Sequence, residues 1–274
     1  MARLSSLVLH SNSESTLSRP ILLCVQFDGT DFHGWQSQLN LRTVQDVLSD
    51  AVHAMVGTRT TLYASSRTDA GVHARALPVL FYSDKEIPLH GYKRGLNTLL
   101  PDDVSVLDAV EVSQDFNVRK SARGKTYQYT IWNHPSRAAL YSRRAWNVPL
   151  PLDHSAMQTA ADLLIGSFDF SSFRAADCQA NSPQRSLTRV DINPSQTPLI
   201  TIYVEGNAFL QHMVRIIAGT LVEVGKGRQP VAWVKKVLDA RNRTEAGPTA
   251  PPHGLCLERV HYEPPPFDDL PFQR

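Results

Sequence analysis

Cysteine is scarce in this chain: Cys24, Cys178 and Cys256 are three among 274 residues, an odd number at wide spacing. That pattern excludes a disulfide framework and the paired spacing of a zinc site, and it fits a reducing cytoplasm. No apolar run approaches the roughly 20 residues of a membrane span, and Leu7-Val8-Leu9 is too short for a secretory signal. The chain therefore reads as soluble and unsecreted, with no membrane partner. Also missing are a Gly-x-Gly-x-x-Gly turn, a Walker loop and a His-Glu-x-x-His pair, and His33, His53 and His73 lie far apart. These absences argue against nucleotide cofactors and a catalytic metal. A net charge of +2 is too mild to demand a polyanionic partner, so local clustering must decide.

What is present is ordinary globular material, 42% hydrophobic and 20% charged, enough for one large domain or two modest ones. Residues 1–20 hold six serines and a single acid, Glu14. This suggests a flexible leader over residues 1–19, with an organellar transit peptide as the alternative. Glu263-Pro264-Pro265-Pro266 introduces a Pro-rich tail, residues 264–274, expected to run extended over the surface.

Between these ends the same pattern occurs twice. Residues 21–27 form an apolar strand closed by the Asp28-Gly29-Thr30 turn. Val44, Val47, Leu48, Ala51 and Met55 recur at helical spacing behind Thr43 as N-cap and stop at Gly57. Strands at 60–66 and 76–83, a helix at 89–99 and a strand at 104–112 complete a split βαβ, ferredoxin-like unit. In the second half, a strand at 125–132 precedes a helix capped by Asp153 and marked by Met157, Ala160, Ala161, Leu164 and Ile165. A hairpin of 186–192 and 199–204, helices at 209–224 and 230–240, and a strand at 256–262 follow. The expected fold class is α+β: two ferredoxin-like halves, residues 20–114 and 115–263, forming a pseudo-symmetric antiparallel sheet. Helices would cover one face, and the halves would meet in a basic cleft.

Arg67-Thr68-Asp69-Ala70-Gly71-Val72-His73-Ala74 places a guanidinium, a carboxylate and an imidazole within seven positions around a glycine. Apolar or small runs flank it, so these charges sit at a strand end, where a scaffold holds and partly desolvates a carboxylate. A cationic neighbour keeps Asp69 ionised, which suits a nucleophile better than a general acid. The alternative is a structural Asx turn with a surface salt bridge. His73 reads as a structural residue of the turn.

The stretch from Arg119 to Tyr129 carries Arg119, Lys120, Arg123 and Lys125, with Tyr127 and Tyr129 on the strand they lead into. Cations spaced this way follow a phosphate backbone, and a tyrosine stacks on a base that has left its helix. A solvated basic edge strand is the alternative. Other cations, Arg174 and Arg215 among them, are spread over the second half and together could line a groove.

The chain is similar to the TruA family of tRNA pseudouridine synthases. The likeness rests on Phe27-Asp28-Gly29-Thr30 with Phe32 and Gly34-Trp35-Gln36, on the stretch from Arg67 to Ala74, and on Phe116-Asn117 with Arg119. It continues through Ala122 to Tyr129, Asp169-Phe170 with Ser172-Phe173-Arg174, Asn207 and Phe209 with Met213-Val214-Arg215, and Ala250-Pro251 with Gly254-Leu255. It is collinear over residues 21–263. Ser66 departs from the glycine that many members place before the arginine.

The resemblance implies isomerisation of uridine to pseudouridine in the anticodon arm of tRNA, at positions 38, 39 and 40, by a cytoplasmic homodimer without metal or organic cofactor. Asp69 would be the nucleophile, Arg67 would contact it and help hold the extruded base, and Tyr127 would stack on the uracil, with Leu257 in the same substrate site. Phe116, Asn117, Arg119, Lys120, Arg123, Lys125, Ser172, Phe173, Arg174 and Arg215 would bind RNA. Attack at C1′, addition at C6 and removal of the 2′ proton are all compatible with the residues present. An inactive RNA-binding protein of the same fold is the alternative.

Overall fold

β1 (Arg19–Phe27) is apolar on both sides: Ile21, Leu23, Val25 and Phe27 share one face, Leu22 and Cys24 the other, and all six are buried. A strand with two dry faces requires cover on both sides of its sheet. A computed structural model describes residues 18–267 and 270, and within it the cover is unequal. The elements that follow are α1 (Val44–Val56), β2 (Tyr63–Ala64), β3 (His73–Ser83), α2 (Leu89–Leu99) and β4 (Val104–Glu111). Then come β5 (Gly124–Asn133), β6 (Trp146–Val148), α3 (His154–Asp162), β7 (Gly166–Asp169), β8 (Gln184–Gln196) and β9 (Leu199–Gly206). The chain closes with α4 (Met213–Gly225), α5 (Ala232–Ala240) and β10 (Leu255–His261).

The strands make one sheet in the order β4-β1-β3-β10-β5-β9-β8-β7, with β2 on β3 and β6 on β5. Pairing is antiparallel except at β3–β10 and β5–β6. The architecture is α+β. The buried residues of all five α helices join one core cluster with Ile21, Leu23, Val25 and Phe27, so the helices lie on one face. On the opposite face Leu22, Cys24, Ala76 and Leu80 are covered by Phe267 and Leu270. The Pro-rich tail is therefore not simply draped over the surface. Two of its apolar side chains are buried, each worth on the order of 2 kcal/mol. Residues 1–17 of the expected leader lie outside the described residues.

Local signals are recovered where the chemistry is local. The Thr43 hydroxyl accepts from Asp46 N, and Gly57 ends α1 at φ 80°; the Asp153 carboxylate accepts from Ala156 N and starts α3. Departures have tertiary causes. The strand expected over 60–66 shrinks to two paired residues: beyond Ala64, Ser65 N–H donates to Pro78 O, and Pro78 has no N–H to return. β3 begins at His73 rather than 76 because β10 pairs with His73 and Ala74. The helix expected from residue 209 begins at Met213, because His212 takes left-handed backbone angles, φ 62° and ψ 1°, which interrupt a right-handed helix.

All three cysteines are free, and no described helix is long and apolar enough to cross a membrane. β10 fixes the site: Leu257 lies opposite Tyr127 of β5 on one side and beside Ala74 of β3 on the other. The Asp69 loop and Tyr127, distant in sequence, are brought together by this shared neighbour.

Candidate active site

Asp69 sits on the loop entering β3, and the loop of residues 28–35 grips it. Gly71 N–H donates to Phe32 O and Trp35 N–H to Thr68 O, both at 3.1 Å. The backbones meet so closely that a Cβ on Gly29 would stand 1.9 Å from Val72 O, and one on Gly34 would stand 2.6 Å from Thr68 O. Gly34 also has φ +87°. Only glycine fits at either position. The Asp28-Gly29-Thr30 turn and Gly34-Trp35 are thus the clamp on the Asp69 loop.

His73 is buried within this clamp. Gly29 N lies 3.1 Å from its Nδ1, which is also 3.2 Å from Asp28 Oδ1, and its Nε2 lies 3.1 Å from His253 O. A ring engaged at both nitrogens ties loops together.

The Asp69 side chain is 29% exposed and points one oxygen, Oδ2, at two partners. Arg215 Nη1 and His212 Nε2 each lie 3.5 Å from it. Arg215 is anchored independently: its Nε donates to Ala250 O at 2.8 Å, and its own carbonyl accepts from Ala250 N at 3.1 Å. The arginine that faces Asp69 is therefore Arg215 and not Arg67. Arg67 is exposed, lines the same cavity, and makes no hydrogen bond or ion pair with a described residue. That leaves its guanidinium free for a ligand.

Tyr127 lines the same cavity. Its ring packs edge-on against Phe209 at 4.9 Å, and its hydroxyl lies 3.2 Å from Ser66 Oγ. Burial pushes the phenol up to about 12, with the Ser66 hydrogen bond opposing and the Asp69 charge adding to the rise. Lys125 Nζ donates to the same Ser66 Oγ at 3.2 Å. Burial, then the charges of Arg119 and Arg185, hold this ammonium down at about 8.

The cavity measures about 900 Å³ and gathers Arg67, Asp69, Arg119, Lys125, Tyr127 and His212. The other residues expected at the site separate into distinct groups. Lys120 and Arg123 are exposed on the segment entering β5. Asn117 Oδ1 accepts from the amides of Arg119 and Lys120, at 3.1 and 2.9 Å, and shapes that segment. Phe116 packs on Tyr262 at 5.5 Å. Arg174 is half-buried outside the cavity lining.

Three assignments need correction. Ser172 and Phe173 are fully buried, which removes them from any RNA surface. The Ser172 hydroxyl donates to Val237 O at 2.5 Å and accepts from Asn242 N at 2.8 Å, while Phe173 packs on Phe170 at 5.9 Å. Leu257 is also fully buried, and Leu255, two residues earlier on the same strand face, is the leucine that lines the cavity. Sequence reasoning missed His212, whose only signal was its place three residues before Arg215. It also treated Ser66 as a departure and overlooked its hydroxyl.

Among the described residues no group of three or more His, Cys, Asp or Glu is placed to hold a metal ion. A rigidly held carboxylate, an aromatic wall and cations at the mouth make a site suited to a base taken out of a nucleic acid. The chain belongs to the tRNA pseudouridine synthase family, whose model matches residues 23–119 and 160–263. Arg67, Asp69, His212 and Arg215 fall inside the matched segments; Lys125 and Tyr127 fall between them.

Its relatives have a more particular name. The chain is 47% identical over 240 residues to tRNA pseudouridine synthase A of Myxococcus xanthus, covering 88% of this chain and 91% of that one. It is 45% identical to the protein of the same name from Pelobacter propionicus, covering 89% of this chain and all of the relative. With that of Citrifermentans bemidjiense it shares 43% identity, over 89% and 98% of the two chains.

Proposed function

We propose that this protein converts uridine to pseudouridine in the anticodon arm of tRNA, at positions 38 to 40, with Asp69 as nucleophile. The observation that carries the reading is the Asp69 carboxylate itself, held through Oδ2 by Arg215 and His212 and facing a cavity walled by Tyr127. The reaction breaks the bond from C1′ to N1, turns the uracil and joins C1′ to C5, with loss of the C5 proton and gain of one at N1. The base must leave its stack and stay bound while detached. Stacking on the Tyr127 ring and contacts from Arg67 and Arg119 offset an unstacking cost of a few kcal/mol. Exposed Lys120 and Arg123 continue the cationic path for the phosphates.

The same reading takes residues 20–114 and 115–263 as two ferredoxin-like halves. The orders β4-β1-β3 with β2, and β10-β5-β9-β8, support it. A homodimer in the cytoplasm completes the proposal, and three free thiols fit that compartment; sedentary monomers by equilibrium sedimentation would count against the dimer. The decisive measurement is tritium release from tRNA labelled at uridine C5. Asp69→Asn is expected to abolish release while tRNA binding survives. Wild-type release by that variant refutes the nucleophile, and no release by the wild-type chain favours an RNA-binding protein of the same fold.

A further inference from the structure

Arg215 Nη1 and His212 Nε2 converge on one oxygen of Asp69, and Oδ1 has no hydrogen-bond or ionic partner among the described residues. The two partners differ in kind. Arg215 is fixed by Ala250 and its side chain is 12% exposed. The His212 ring is 30% exposed on the cavity wall and has no hydrogen bond and no other ion pair among the described residues. Its backbone is left-handed, an arrangement that costs free energy for a residue with a Cβ, and its side chain does not cap α4. Neither capping nor a hydrogen bond of the ring offsets that strain. What the conformation does achieve is to aim the imidazole at Asp69 from just outside the helix, while Arg215 arrives from within its first turn.

We propose that His212 is a positioning residue for the nucleophile: together with Arg215 it holds Oδ2, so that Oδ1 is the oxygen presented to the substrate. The inference rests on Asp69 being the reacting carboxylate. A carboxylate turns easily about its last torsion, and one anchored by a single partner keeps much of that freedom. Two partners from different directions on one oxygen fix the plane of the group and with it the lone pairs of the other.

The test compares His212→Gly, His212→Asn, His212→Gln, Asp69→Asn and wild type, measuring melting temperature, tRNA KM and kcat. Glycine removes the imidazole and relieves the left-handed backbone. Asparagine tolerates that backbone but stops short of Oδ2, whereas glutamine keeps a donor near the position of Nε2. His212→Gly and His212→Asn are expected to melt at or above the wild-type temperature and keep KM within about twofold. Their kcat should fall by roughly tenfold to a hundredfold, the scale of a misplaced reacting group, and His212→Gln should recover part of it. A purely structural role would instead lower the melting temperature and leave glutamine no faster than glycine. Wild-type kcat in folded His212→Gly or His212→Asn, beside an inactive Asp69→Asn, overturns the proposal. Wild-type kcat in Asp69→Asn overturns the nucleophile assignment instead.

Discussion

The Ser66 hydroxyl lies 3.2 Å from the Tyr127 phenol, and Lys125 donates to that same hydroxyl from 3.2 Å. Ser66 is therefore a bridge between the aromatic wall and a half-buried cation. Ser66→Ala removes the bridge and leaves two half-hidden polar groups to find other partners. A loss of about 1 kcal/mol in urea unfolding is expected, with tRNA affinity unchanged. An unchanged unfolding midpoint would show the bridge to be energetically idle.

Lys125 gives the stability of this fold a particular pH dependence. Burial, followed by Arg119 and Arg185, lowers its ammonium from 10.5 to about 8. Between those pH values the unfolded chain binds more protons, so this residue's contribution improves as pH rises through that window. Below it the penalty on the folded state is complete. Lys125→Met removes that penalty and should be more stable than wild type at pH 7, by up to about 3 kcal/mol. The advantage should shrink from pH 8 to 10.5. Denaturation at pH 7 and pH 10 checks both, and a Met chain less stable at pH 7 contradicts the burial argument.

Arg215 contacts Asp69 from a largely buried position. Its guanidinium is 12% exposed and spans Asp69 and Ala250, so it is poorly placed to meet a phosphate. Arg215→Lys keeps the charge but not the geometry of two directed contacts. Isomerisation should fall by at least about tenfold, while tRNA affinity in filter binding stays within about threefold. An affinity loss matching the rate loss would return Arg215 to the RNA surface.

Ser172 and the exposed cations should behave in opposite ways. Ser172→Ala leaves Val237 O and Asn242 N without their buried partner and should cost about 1 to 3 kcal/mol of stability. Affinity of the folded fraction should not change. Alanine at Lys120 or Arg123 should leave stability alone, weaken tRNA binding, and reduce the slope of log affinity against log salt by roughly one each. Titrations at several salt concentrations distinguish the two outcomes.

Much of this was legible in the chain because it depends on neighbours in sequence. Thr43, Gly57 and Asp153 act within one helical turn, so capping rules locate α1 and α3. The crowded charges from Arg67 to His73 single out the loop that lines the cavity. The glycines at 29 and 34 are conspicuous as letters, but their reason is another backbone: Val72 O and Thr68 O occupy the space a Cβ would need. Ser172 and Phe173 misled because they entered the RNA-binding set through the family resemblance, and burial is not written in three residues.

By itself the sequence determined the helix caps, the apolar alternation of the strands and the crowding of charges around the Asp69 carboxylate, since each follows from backbone and side-chain chemistry within a few residues. The partners of that carboxylate were decided only in three dimensions. β10 enters the sheet between β3 and β5 and brings the Asp69 loop to Tyr127. The left-handed turn at His212 stops one helix and delivers two nitrogen groups, more than 140 positions away in the chain, to a single oxygen. Contacts at that separation depend on strand order and on packing between layers, and no local periodicity encodes either.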